Sequence, residues 1–280
     1  MTFADDDLSK LALNGVPPLP VTSLQGKVDI AGARIWFAAL GSGRPVVLLH
    51  GGMGNSGNWA YQVPALLAQG YRVIAIDSRG QGRSTRTDEP LSYRQMAGDV
   101  RAVLGELHIA NAAIVGWSDG ADIGLVLADE TPDLVVGLFF FACNVDSSGT
   151  KPFQMTPAIE RVLQHHRKDY GALSATPDDF DRVFQAVQVM QQTQPEYSRE
   201  ELARIDVPVS VVLGEHDEFI ARDHLEYLAS ALPNATFTLL PEVSHFAPLQ
   251  RPDVFNTAVL KFLSDLTWPE PRDGQDQALL

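Results

Sequence analysis

The chain has 280 residues, of which 45% are hydrophobic and 20% charged, and its formal net charge is −14. That length can bury a full core as one large α/β domain or two small ones, and the negative balance excludes nucleic acid as a natural partner, because its phosphates would be repelled. A single cysteine, Cys143, excludes an internal disulfide and a thiolate metal site built from this chain.

The opening "MTFADDDLSK" carries three acids where a secretion signal needs basic residues, and no apolar run follows it. The longest apolar run, "LVVGLFFFAC" at 134–143, has ten residues, against the ~20 that a membrane span requires. These features predict a cytoplasmic protein with no membrane contact. Residues 1–25 read as an irregular N-terminal arm, with prolines at 17, 18 and 20 preventing a regular element.

From residue 26 the pattern alternates. "KVDIAG" and "ARIWFAAL" predict a hairpin turning near Ala31-Gly32. "PVVLLHG", "YRVIAID", "AAIVGW", "LVVGLFFFA", "VPVSVVLG" and "ATFTLLPE" are short apolar runs suited to a sheet buried on both faces. Helical stretches separate most of them, over Trp59–Gln69, Tyr93–Leu107, Ala121–Glu130, Arg222–Leu232 and Val254–Leu266. Alternating β and α predicts a doubly wound, mostly parallel sheet with helices on both faces. Residues 144–205 break the rhythm: they hold no strand-like run, and Ile159, Val162 and Leu163 give a helical apolar stripe. A helical insertion there would cap the carboxyl ends of the strands, where open α/β sheets bind ligands. The division is therefore an arm (1–25), a core (26–143 and 206–267), a helical cap (144–205) and a C-terminal tail (268–280).

The stretch "AAIVGWSDGADIG" places Ser118 between Gly116 and Gly120, with a strand before and a helix after. A sharp strand-to-helix turn holds a serine hydroxyl in the open, and side chains two positions to either side would collide with the neighbouring strand and helix. The helix N-terminus also favours a developing oxyanion. Such a serine needs a base and an anion hole. "HGGMG" at 50–54 follows a strand and supplies backbone N–H groups from Gly52 or Met53 to pair with that of Asp119. It lacks the Lys-Ser/Thr ending of a phosphate loop and the spacing of a dinucleotide site.

Of the seven histidines, His245 in "LLPEVSHFAP" follows the last strand and is the candidate base. His50 braces the glycine turn, and His165 and His166 are adjacent on a cap helix and so face different ways, which is poor metal geometry. His108 and His224 read as surface residues. The acid that orients the imidazole is Asp217 in "LGEHDEF", with Glu215, Glu218 and Asp146 as rivals and His216 as a competing neighbour. Trp117 is either a packing residue or a wall of the substrate site. Cys143 and Phe139 to Phe141 read as core, although strand alternation could put one phenylalanine at the pocket floor.

Taken together, "HGGMG", "DSRGQGRS", "GWSDG", "LGEHD" and "SHF", in this order and spacing over about residues 26–266, resemble the α/β-hydrolase family. In "DSRGQGRS", Asp77 and Arg79 read as ties of a turn. The resemblance implies an eight-stranded sheet whose first strands are antiparallel, a helical cap after strand six, and acyl transfer to water without a metal or organic cofactor. It implies Ser118 as nucleophile, His245 as base and Asp217 as the acid, acting on a small-molecule ester, lactone or thioester-like substrate. A carbon–carbon bond hydrolase on a diketone-type substrate or a cofactor-free perhydrolase would use the same residues, and a non-catalytic ligand receptor would use the same fold. The elbow is similar to that of valacyclovir-hydrolase-like members, in which the acid after the serine recognises an amino group. Asp119 thus has three readings: a helix-start acid, a recognition group for a cationic substrate, or a modifier of His245.

Overall fold

The computed structural model describes residues 7–22 and 24–270. Eight strands are present: β1 (Leu24–Ile30), β2 (Ala33–Leu40), β3 (Pro45–Leu49), β4 (Arg72–Ile76), β5 (Ala112–Trp117), β6 (Val135–Phe141), β7 (Val209–Gly214) and β8 (Ala235–Leu240). They form one sheet in the order β1-β2-β4-β3-β5-β6-β7-β8. The β1–β2 and β2–β4 pairs are antiparallel, and every later pair is parallel. The hairpin turns at Ala31 and Gly32, both with positive φ.

The helices are α1 (Asp7–Asn14), α2 (Gln62–Ala68), α3 (Tyr93–Glu106), α4 (Asp119–Glu130), α5 (Pro157–Leu173), α6 (Phe180–Thr193), α7 (Arg199–Leu202), α8 (Arg222–Ala231), α9 (Ala247–Gln250) and α10 (Pro252–Asp265). They cover both faces of the sheet, as alternation along β6 makes plain. Phe139 and Phe141 meet Phe255 of α10 with ring centroids 5.5 and 5.1 Å apart, while the intervening side of the sheet carries α4, whose Gly124 lies over Leu138 and Ile114. Phe139, Phe140 and Phe141 are all fully buried, and none of them reaches the cavity described below.

The N-terminal arm differs from the expectation of an irregular segment. Ahead of the prolines the chain forms α1, which packs against α5 and buries Leu8 and Leu11. Gly15, with φ 65°, stops the helix in the left-handed conformation that favours glycine. The prolines end this element rather than forbid it. Residues 1–6 of the arm and 271–280 of the expected tail lie outside the described residues.

Between β6 and β7 the chain runs through α5, α6 and α7. Thr156 caps α5 by accepting the Ile159 N–H, with Pro157 at the first helical position. Ser198 and Glu201 form a reciprocal capping box on α7. Ile159 and Val162 turn the apolar stripe of α5 inward, above the carboxyl ends of β3, β5, β6 and β7. Among the described residues no helix is long and apolar enough to cross a membrane.

Candidate active site

The turn from β5 into α4 holds Ser118 at φ 53°, ψ −126°, a conformation that costs a non-glycine residue ~1–3 kcal/mol. Its surroundings enforce it. A Cβ on Gly120 would lie 2.0 Å from the Leu49 carbonyl oxygen, and one on Gly116 would lie 2.4 Å from the Gly120 carbonyl oxygen. Only glycine lets strand and helix approach so closely on both sides of the serine. The Ser118 N–H donates to the Phe141 carbonyl at 2.8 Å and the Ala121 N–H to the Ser118 carbonyl at 2.7 Å, fixing the turn from both ends.

The glycine loop after β3 lies beside this turn. His50 is fully buried; its Nδ1 meets the Gly51 carbonyl at 2.8 Å and its Nε2 accepts the Ser78 N–H at 2.9 Å. Those partners fix the Nδ1–H tautomer, and burial, opposed by Asp77, holds the imidazole below its usual pKa. His50 is therefore a neutral brace. A Cβ on Gly51 would come within 3.1 Å of Ser118 Cβ, and Met53 takes a positive φ of 63°. Asp119 opens α4, so its N–H has no acceptor within the helix. Asp77 and Arg79 serve different ties. Asp77 accepts the N–H groups of Ser56 (2.7 Å) and Arg83 (2.8 Å), whereas Arg79 reaches α3 to form a buried ion pair with Asp99.

The loops after β7 and β8 bring Asp217 and His245 together. Asp217 Oδ2 lies 2.8 Å from His245 Nδ1, and both side chains are buried. Asp217 Oδ1 accepts the N–H groups of Phe219 (2.8 Å) and Ile220 (2.7 Å). Burial pulls the His245 pKa down, but the charge and hydrogen bond of Asp217, with Glu218 and Asp119, outweigh it and leave the imidazole above its usual value. Glu218 takes a place that the sequence did not suggest: its Oε2 accepts the His245 backbone N–H at 3.0 Å. The other rivals are engaged elsewhere, Asp146 with Ser148 and Glu215 with the Glu242 N–H. His224, expected at the surface, is buried, and its Nε2 accepts the Val145 N–H at 3.0 Å. His108 is exposed. Among the described residues no cluster of His, Cys, Asp and Glu could hold a metal ion.

A cavity of about 330 Å³ lies between this edge of the sheet and helices α5 and α6. Gly52, Met53, Trp117, Ser118, Asp119 and His245 border it on the core side. Trp117 is buried against Trp59 and Phe246, with its ring 6.2 Å from that of His245. The opposite wall is largely apolar, with Ile159, Val162 and Leu163 from α5 and Phe184 and Val187 from α6; its polar members include His166, Gln188 and Gln191. Asp119 Oδ1 accepts the Tyr93 hydroxyl at 3.0 Å and Gln191 Nε2 at 2.9 Å, while its Oδ2 has no hydrogen-bond partner among the described residues. Burial pushes this carboxyl above its usual pKa. Neither Tyr93 nor Gln191 carried a sequence signal, since each meets Asp119 only through the tertiary fold. Beneath the turn, Asp122 is buried and accepts the Cys143 thiol at 3.0 Å.

Known proteins share this fold. The profile of the alpha/beta hydrolase family matches residues 46–258. BpoC of Mycobacterium tuberculosis, which bears the name of a non-heme bromoperoxidase, is 29% identical over 253 residues, covering 81% of this chain and 96% of that protein. Mouse serine hydrolase BPHL is 26% identical over 250 residues, covering 85% of each. Among solved structures, Est816, described as an N-acyl homoserine lactone degrading enzyme, superposes with a TM-score of 0.67 at 28% identity, covering 84% of this chain and 99% of that one.

Proposed function

Because this chain belongs to the alpha/beta hydrolase family, we propose that it is a serine hydrolase that cleaves a small carboxylic ester, or a lactone or thioester-like acyl substrate, in the cavity above Ser118. The observation that carries this reading is the coincidence at one cavity of a serine held in the strained turn, at φ 53°, and a buried imidazole hydrogen-bonded through Nδ1 to Asp217. With Nδ1–H donated to Asp217, Nε2 is the basic nitrogen of His245. It takes the Ser118 proton as Oγ attacks the acyl carbon, then gives that proton to the leaving group as the carbonyl re-forms. Water, activated by the same nitrogen, adds to the acyl-enzyme and releases the acid. The backbone N–H groups of Asp119 and of Gly52 or Met53 hold the oxyanion in both halves. Each such donor contributes ~10²–10³-fold in rate. Residues 144–205 act as the cap that encloses the substrate, and Trp117 forms part of the substrate wall beside His245.

The cavity also bears on the substrate. Its lining includes no lysine or arginine, and burial already disfavours the anionic form of Asp119 there, so a further negative charge on the substrate would be costly where it is least screened. That weighs against carbon–carbon cleavage of an anionic diketone-type substrate. It favours neutral acyl groups and, through Asp119 Oδ2, acyl groups bearing a cationic amine. A lactone falls within the proposed class on the likeness to Est816.

The test is a rate panel of nitrophenyl acetate, butyrate and octanoate and a valine ester, with wild type and Ser118→Ala. The reading requires turnover that the substitution removes. Wild-type rates in Ser118→Ala would end it, and tight ligand binding without turnover would point to a receptor. An Asp119→Ala variant that keeps the wild-type preference between valine and neutral esters would end the amine assignment alone.

A further inference from the structure

Within the largely apolar cap wall, α5 places one side chain whose environment is incomplete. His166 is buried and borders the same cavity as Ser118 and Asp119, yet its Nε2 has no hydrogen-bond partner among the described residues. An unsatisfied buried polar atom costs ~1–3 kcal/mol. On the same helix Ile159 and Val162 fill the wall without that cost. The adjacent His165 does not border the cavity: its Nε2, also without a hydrogen bond, lies 3.3 Å from Asp169 Oδ2, and Asp169 is in turn held by Asn55.

The chemistry of His166 narrows what it can bind. Burial, with His165 and His50 nearby, holds its pKa down to about 3, so the ring is neutral and carries one donor and one acceptor nitrogen. Among the described residues it has no carboxylate partner of the kind Asp217 gives His245, and no cluster that could hold a metal includes it. A neutral imidazole in a low-dielectric wall suits an uncharged oxygen, and the cavity's own carboxylate, Asp119, disfavours an anionic one.

We propose that His166 is a specificity-determining residue that hydrogen-bonds an uncharged oxygen substituent of the substrate, a hydroxyl or keto oxygen placed away from the scissile carbonyl. The proposal rests on the hydrolase reading and adds its substrate class: oxygenated, non-anionic acyl compounds. Nε2 is both unpartnered and covered in this structure, so the ring turns toward the cavity to meet the bound oxygen, while the apolar stripe of α5 and α6 takes the hydrocarbon part.

The experiment compares kcat/KM, by pH-stat titration, for methyl hexanoate and its 3-hydroxy, 3-oxo and 6-hydroxy derivatives. Wild type, His166→Leu and His166→Gln are each assayed, with Ser118→Ala as the control for the chemistry. Wild type is expected to favour at least one oxygenated ester. His166→Leu should lower kcat/KM for the favoured oxygenated ester about fivefold or more beyond any change on methyl hexanoate, the worth of one neutral hydrogen bond. His166→Gln, which keeps a donor and an acceptor, should restore part of it. Three results would overturn the proposal: no wild-type preference for any oxygenated ester, a preference unchanged in His166→Leu, or an equal loss on plain and oxygenated esters, which marks a packing role. If no ester shows turnover that Ser118→Ala removes, the hydrolase reading itself fails, and the proposal fails with it.

Discussion

On the core wall of the cavity, each group of the proposed chemistry is held from more than one side. Ser118 sits in a turn that two glycines alone permit, Asp217 is fastened by two N–H groups, and His245 is gripped at its ring by Asp217 and at its backbone by Glu218. On the cap wall, side chains from α5 and α6 meet the cavity with few polar ties, and His166 Nε2 has none among the described residues. Phe153 and Met155, in the segment leading into α5, border the cavity and stay well exposed. The difference follows from the work proposed for each wall. Bond-making tolerates little error in position, so strain and glycine spacing are accepted there. Choosing a substrate requires only a wall whose contacts can be exchanged.

The largest effect comes from breaking the core wall at its strained point. Ser118→Gly should lower turnover by ~10⁶-fold, the scale seen when a catalytic serine is lost. The same change removes the Cβ that makes φ 53° costly, a saving of ~1–3 kcal/mol against a glycine entropy cost of ~0.5–1 kcal/mol. The variant should thus be inactive and about 1 kcal/mol more stable by urea denaturation. An inactive variant that is also less stable would show that the turn is not a store of strain.

A smaller loss, ~10⁴-fold in kcat, is expected for Asp217→Asn. The asparagine oxygen can still accept the Phe219 and Ile220 N–H groups, so the loop should hold its shape while the imidazole loses its orienting charge. Initial rates beside an unchanged melting temperature would separate that outcome from unfolding.

Beneath the same turn, burial pushes Asp122 well above its usual pKa. A carboxyl raised in the folded state stabilises fully below its unfolded pKa, and that contribution is lost as pH rises through the folded value. Asp122→Asn should therefore be more stable than wild type at pH 7–8, by roughly 1 kcal/mol, with the gap closing toward pH ~4. Denaturation midpoints at the two pH values decide it, and a gap that widens in acid would reverse the sign.

The same contrast explains what was legible in the sequence. The core wall is written locally: Gly116, Gly120 and the "HGGMG" run mark places where backbones nearly touch, and Asp217 and His245 each follow the end of an apolar run. The eight apolar runs and the first hairpin are legible for the same reason, whereas the antiparallel β2–β4 pair follows only from the family resemblance. The cap wall depends on which faces of α5 and α6 meet the core, and no local pattern states that. Tyr93 lies 26 residues before Asp119 and Gln191 lies 72 after it, yet both bond its carboxylate. His224 looked like a surface residue because its acceptor role toward Val145 spans 79 residues. At the N-terminus Leu8, Leu11 and Gly15 spell a short helix with its stop, and the prolines that break regular structure lie only beyond it.

The smallest expected effect tests whether Glu218 belongs to the core wall as a charge or only as a tie. His245 must be neutral to take the serine proton, so kcat/KM should fall in acid along a limb set by its pKa, which Asp217, Glu218 and Asp119 together hold above the usual imidazole value against the pull of burial. Glu218→Gln keeps an oxygen for the His245 N–H and removes only the charge. The imidazole then loses one of its stabilising anions, its pKa falls, and the limb moves to lower pH. The variant should outpace wild type on the limb, most clearly at its upper end where Glu218 is fully ionised, and match it on the neutral plateau. If the limb stays in place and the plateau drops, Glu218 acts through the geometry of the loop and its charge contributes nothing to the base.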